Sequence, residues 1–226
     1  MASSRSLLRP AVLLALVLVG FPCLASLEPR DEAFQYRWRL TNFLGRVAGL
    51  FFPSRGDGLL TYRTDGAGHL VSQLEITSEK SEEGEFWLYG AEIDIRKGRT
   101  VRAWSSYRYR GKDKSRRAEV DERGVVDIAS GILKIRQAPP EAVTPMRIWS
   151  DGKVYPVEVV PKGPTILRLG DRKVETRRFL VRGSGVAGPS WKGRIELWLQ
   201  EDEAATPAAI LIYRSGIGVL LELNLR

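Results

Sequence analysis

From Ala33 onward the chain alternates apolar and polar residues with a period of two, and it does so in segment after segment. Phe34, Tyr36, Trp38 and Leu40 alternate with Gln35, Arg37, Arg39 and Thr41. Leu70, Leu74 and Ile76 oppose Gln73, Glu75 and Thr77, and Trp87, Tyr89, Ala91, Ile93 and Ile95 share one face. Ile195, Leu197 and Leu199 lie opposite Glu196, Trp198 and Gln200, and Val219, Leu221, Leu223 and Leu225 close the chain in the same style. Side chains on a strand point to opposite faces in turn, so this pattern specifies half-buried strands with one face on a core and one in water. Asp57-Gly58, Asp65-Gly66, Lys97-Gly98, Asp151-Gly152 and Gly170-Asp171 punctuate the runs, and Asp-Gly favours the tight turns of antiparallel hairpins. Ile148 to Tyr155, turning at Asp151-Gly152, is the clearest hairpin. No alternation of strand and helix appears, which disfavours a parallel sheet.

One segment departs from the pattern. Between Asp127 and Arg136, Ile128, Ile132 and Ile135 recur at helical spacing, with Asp127 as N-cap and Pro139-Pro140 as the stop. The expectation is an all-β fold: a single large curved antiparallel sheet or open barrel, with one short helix over about 127–137 plugging its concave side or an open end. No internal repeat or linker divides the rest, so residues 26–226 are expected to form one β-rich domain.

The first 25 residues read as a secretory signal. Arg5 and Arg9 precede an apolar run from Ala11 to Phe21, and Cys23-Leu24-Ala25 supplies small residues for cleavage. The run is shorter than the roughly 20 residues that span a bilayer, so no integral span is expected after cleavage. Phe21-Pro22 before Cys23 departs from a lipoprotein signal. Cleavage after Ala25 would remove the one Cys and lower the formal charge from +8 to +6. A Cys-free domain suits an oxidising compartment, periplasmic or secreted.

The motifs that carry chemistry are sparse. With one Cys and one His, no Cys/His zinc site can be assembled, and neither a metal nor another cofactor is expected. Gly183 to Gly188 matches G-x-G-x-x-G, but a strand-like run rather than a helix follows, so it reads as a hairpin loop. His69 reads as a turn residue, and Glu92 with Asp94 as solvated strand carboxylates. No catalytic constellation emerges, and the chain is expected not to be an enzyme.

Between Arg99 and Arg117, basic residues interleave with Trp104, Tyr107 and Tyr109. Export argues against nucleic acid as the partner, and alternation sends the arginines to solvent. Arg102, Arg108, Arg110, Arg116 and Arg117 read either as a charged edge that discourages strand pairing or as a patch for anionic envelope lipid or polysaccharide.

Two segments resemble an exported bacterial family, domain of unknown function 3108. Asp127 to Arg136 is similar to its D-x-x-S-x-x-x-x-x-R helix, and Trp198-Leu199 through Asp202 to Pro207 to its W-L-x-x-D-x-x-x-x-P strand-turn-strand. Phe34 to Trp38 resembles its first strand. Leu133-Lys134-Ile135 lacks the aromatic that the family carries before the arginine. The resemblance implies an exported antiparallel fold without an established activity, similar in outline to envelope carriers that hold acyl chains on a concave face. Asp127, Arg136 and Asp202 are expected to be structural, with Arg136 tying the helix to Asp202 or Glu201. Trp38, Trp87, Tyr89, Trp149 and Trp198 are the candidates for lining a ligand cavity. The leading expectation is a non-enzymatic envelope protein binding an amphipathic or anionic component. The alternative is an assembly factor that binds another envelope protein without a small ligand.

Overall fold

The structure is a computed structural model that describes residues 31–41, 53–79, 84–109, 111–185, 190–214 and 216–225. The segment read as a signal lies outside them. The described elements are β1 (Glu32–Thr41), β2 (Arg55–Thr64), β3 (His69–Ser78), β4 (Phe86–Asp94), β5 (Arg99–Tyr109), β6 (Lys112–Arg123) and β7 (Val125–Val126). Helix α1 (Ile128–Gln137) follows, then β8 (Thr144–Ser150), β9 (Lys153–Leu169), β10 (Arg172–Gly183), β11 (Arg194–Gln200), β12 (Pro207–Arg214) and β13 (Ile217–Leu223). Among the described residues the fold is all-β with one helix.

All thirteen strands join one sheet in the order β6-β5-β4-β3-β2-β1-β13-β12-β11-β10-β9-β8-β7. Neighbours are antiparallel throughout, apart from the short β7, which runs parallel to β8. That one parallel pair departs from the wholly antiparallel expectation, because the chain reaches β7 directly from β6 and enters beside β8 before α1 begins. Pairing of β1 with both β2 and β13 splices the two ends of the chain into the middle of the sheet.

β6 and β7 stand at opposite ends of the strand order yet are separated only by Gly124 at φ +70°. The sheet therefore curls until its ends meet. The Thr100 hydroxyl of β5 donates to the Val125 carbonyl of β7. Arg147 of β8 donates to Glu122 Oε2 at 2.9 Å and to the Arg123 carbonyl at 2.5 Å, both on β6. The result is the nearly closed, barrel-like sheet that the alternation pattern anticipates.

Helix α1 fills part of the interior. Its capping box is complete: Asp127 accepts from the Ala129 and Ser130 amides at 3.2 and 2.9 Å, and Ser130 Oγ accepts from the Asp127 amide at 3.0 Å. Ile128, Ile132, Leu133 and Ile135 are buried, and Gly131 lets Val126 and Met146 approach the helix axis. Tyr62 donates its hydroxyl to the Ala129 carbonyl at 2.9 Å, and Ser72 donates to Asp127 Oδ1 at 3.1 Å. Strands β2 and β3 thus hold the helix by its first turn. Among the described residues no helix is long and apolar enough to cross a membrane.

Candidate ligand-binding cavity

The helix does not fill the barrel. A cavity of about 460 Å³ remains on the concave side, and no residue of α1 lines it. Its apolar wall is Trp38, Leu40, Ile76, Trp87, Tyr89, Ile212 and Val219, drawn from β1, β3, β4, β12 and β13. Ser105 and Tyr107 of β5, Lys114 and Arg116 of β6, and Asp151 of the β8–β9 turn supply its polar lip. A volume and lining of this kind suit a small amphipathic ligand, with apolar walls supplying affinity and a few polar groups fixing orientation.

The aromatic wall is built by specific local choices. Trp38 and Trp87 meet edge to face, with ring centroids 6.2 Å apart and planes at 89°. Trp38 Nε1 donates to the Thr77 carbonyl at 2.7 Å, so the indole's polar group is satisfied while its carbons face the cavity. Gly56 and Gly58 of β2 occupy inward positions, where a β-carbon would overlap with the Thr77 carbonyl and Trp38 at Gly56 and with Leu221 at Gly58. A second cavity of about 320 Å³ adjoins the first and shares Tyr89, Asp151 and Ile212 with it. Ser105 Oγ donates to Asp151 Oδ1 at 3.3 Å beside that shared wall. The Asp151-Gly152 turn has positive φ at both positions, 51° and 87°, as the sequence pair demands.

Of the five aromatics proposed from sequence, Trp38, Trp87 and Tyr89 come together in this wall. Trp149 is only 3% exposed and packs in the core without lining either cavity. Trp198 corrects the expectation. Ile195, Leu197 and Leu199 take the inner face of β11, so the pleat turns Trp198 outward, where the Arg178 guanidinium covers its ring at 5.3 Å.

The basic stretch is likewise divided by the pleat. Arg102 binds Glu92, with Nε to Oε2 at 2.7 Å. Arg108 binds Asp113 at 2.8 Å and lies over the Phe86 ring. Arg117 sits on the outer face of β6, and Arg110 lies outside the described residues. Of the four that are described, Arg116 lines the cavity. The proposed single patch is therefore not one surface: two of its members are neutralised by carboxylates and one faces inward. Lys114 belongs to the same basic stretch but not to the five arginines of the patch, although its place two residues before Arg116 puts it on the same strand face.

The structural trio is placed as follows. Asp127 is buried, and desolvation pushes its carboxyl above the usual range against the hydrogen bonds from Ser130, Ala129 and Ser72. Burial likewise raises the Tyr36 and Tyr62 phenols, which stay protonated donors to the Pro207 and Ala129 carbonyls. Arg136 pairs with neither Asp202 nor Glu201, correcting that expectation. Its Nη1 meets Glu32 Oε2 at 2.8 Å, and it donates to the Ala204 and Ala205 carbonyls at 3.0 and 3.1 Å. Asp202 instead organises the turn that presents those carbonyls, accepting from the Thr206 amide at 2.9 Å. Glu32 was missed because nothing local to it signals a partner 104 residues away.

Elsewhere, His69 Nδ1 lies 3.0 Å from Glu92 Oε1 and 3.5 Å from Asp65 Oδ2, a donor set of the type that binds divalent cations. Arg102 donates to the other oxygen of Glu92, which joins it to this cluster at the end of the β3–β4 ladder. Asp94 accepts from the Lys97 amide at 3.1 Å and serves the following turn. Strand β10 ends at Gly183 and β11 begins at Arg194, so the described part of the Gly183–Gly188 segment joins two strands, and residues 186–188 of it lie outside the described residues.

Fold and cavity together define the class: an all-β, barrel-like protein with a helical plug and an apolar pocket with a basic lip. No protein-family model and no curated protein matches the chain, so the likeness to domain of unknown function 3108 stays with the short segments that carry it. Among solved structures, it is similar to a beta-barrel-like protein of domain of unknown function DUF1849 from Brucella abortus. The two are 10% identical with a TM-score of 0.46, over 86% of this chain and 95% of the other.

Proposed function

We propose that this chain is an exported, non-enzymatic cell-envelope protein that binds an amphipathic, lipid-like molecule in its barrel. The observation that carries the reading is the cavity walled by Trp38, Trp87, Tyr89, Ile76, Ile212 and Val219 and left open beside the helical plug. Apolar walls of an open pocket this size stand against solvent, and a ligand whose apolar surface displaces that solvent gains free energy. Each methylene transferred from water contributes about 0.8 kcal/mol, so a chain of roughly ten carbons supplies enough to offset the entropy of association. The segment from Arg5 to Ala25 supports export, and periplasmic or secreted location follows from it.

The test is titration of the purified protein with the apolar fluorophore N-phenylnaphthylamine, alongside native mass spectrometry of protein extracted from envelope fractions. One equivalent of dye, displaced by co-purified lipid, is the expected result. Trp87→Ala should weaken dye binding about tenfold, whereas Trp198→Ala should leave it unchanged. Absence of both dye binding and any lipid adduct would overturn the reading.

A second reading, an assembly factor that pairs with another envelope protein, is favoured by β6. This strand ends the sheet order and is exposed along its whole length except at Ala118 and Val120. It predicts that Val219→Trp, which fills the cavity, leaves capture of the partner intact.

A further inference from the structure

Strand β6 carries Lys112, Lys114 and Arg116 on the inner face that it continues with Ala118 and Val120, both packed against the core. Residues two apart on one face are separated by about 6.8 Å, so the three cations repel one another along a line. Four arginines nearby are paired with carboxylates: Arg99 with Asp121, Arg102 with Glu92, Arg108 with Asp113 and Arg147 with Glu122. Among the described residues, no carboxylate lies within ion-pair distance of Lys114 or Arg116. Lys114 rests over the Tyr107 ring at 5.9 Å, and Arg116 stands across from Ser105 in the β5–β6 register. Both line the cavity whose opposite wall is apolar.

Resting on the reading above, we infer that the ligand is an acidic amphiphile whose singly charged head is held by Lys114 and Arg116 while its tail lies against Trp38, Ile76 and Trp87. Charge complementarity sets the class. Asp151 lines the same cavity, so among the described lining residues two cations and one carboxylate leave a formal +1, matched by one carboxylate or one phosphodiester and not by a cationic head. The Arg116 fork accommodates two oxygens of such a head, and Lys114 adds a mobile point charge. Inward-pointing charges also protect an edge strand from pairing. Protection alone, however, does not require that the cations border an apolar cavity, and β6 already carries Asp113, Arg117 and Glu119 on its outer face.

Ligands with one tail and different heads separate these roles. Laurate, lauroyl-lysophosphatidylglycerol, dodecanol and dodecylammonium would each be titrated, below micelle formation, against N-phenylnaphthylamine bound to the full purified protein. At least one anionic ligand is expected to displace the dye at about tenfold lower concentration than dodecanol, with dodecylammonium weakest. Preference for laurate or for the phosphodiester identifies the source of the charge. In the double variant Lys114→Gln, Arg116→Gln the anionic advantage over dodecanol should vanish, each competitor being read against that variant's own dye affinity. Each single variant should lose part of it, which covers the case of a double variant that folds poorly. Equal displacement by dodecanol and the anions, or an advantage that survives in the variants, overturns the inference and leaves the carrier reading standing. Failure of the parent to bind dye removes the carrier reading itself.

Discussion

Arg136 shows at the scale of a residue how this interior is held. It is 5% exposed, stacks over Phe34 at 4.7 Å, and spends its fork on Glu32 and two carbonyls of the turn before β12. One side chain thereby links the last turn of α1 to the first strand and to the β11–β12 connection. Removing one partner of a buried pair leaves the other uncompensated, so Arg136→Ala should lower stability by about 3 kcal/mol, read as the shift in the urea midpoint. An unshifted midpoint would mean that Glu32 is solvated without it. Asp127 at the other end of the helix is a cap legible in the sequence, but its burial is not. A carboxyl whose native value lies above its unfolded one keeps its proton better when folded, so ionisation costs stability as pH rises through the window between them. Asp127→Asn retains a capping oxygen and cannot ionise. It should gain on the parent as pH climbs from about 4 toward neutrality, measured as the difference in Tm. A difference constant across that range would place the carboxyl at its ordinary value.

Elements carry more of the fold in their local pattern than residues do. The period-two reading assigned the inner face correctly in β1, β3 and β11, because the pleat alone decides which way successive side chains point. The same rule, applied strictly, already excludes Trp198 from the interior and joins Lys114 to Arg116. Grouping residues by type across a segment, as with the five arginines, obscured it. Strand β2 shows what the pattern leaves silent: its inward Gly56 and Gly58 look like turn residues, yet they sit within the strand because Trp38 and Leu221 fill the space over them. A β-carbon at Gly56 would stand 2.0 Å from the Thr77 carbonyl and 2.7 Å from Trp38 Nε1. Gly56→Ala should therefore cost about 1–3 kcal/mol and shift the tryptophan emission. Gly66→Ala, in the open turn between β2 and β3, should change neither. Equal behaviour of the two variants would show that Trp38 can move aside without loss.

For the whole molecule, strand identity and strand order are separate questions. Alternation, turn dipeptides and the capped segment after Asp127 were enough to establish an all-β chain with a curved sheet and one helix, since each is a short-range property of the pleat, the turn or the helix terminus. They do not specify that β1 pairs with β13, that β7 enters parallel to β8, or that Thr100 and Arg147 draw the two ends of the sheet together. Those contacts join residues far apart along the chain, and many pairings share the same alternation. The cavity belongs wholly to this second category. Its volume is what remains after strand order, curvature and the seat of α1 are set, and no single segment contains it. Apolar and charged residues were visible in the sequence as two faces of strands. Only the tertiary structure decided that β6 turns its lysine and arginine toward the tryptophans of β1 and β4, because only closure of the sheet brings an edge strand against its own interior.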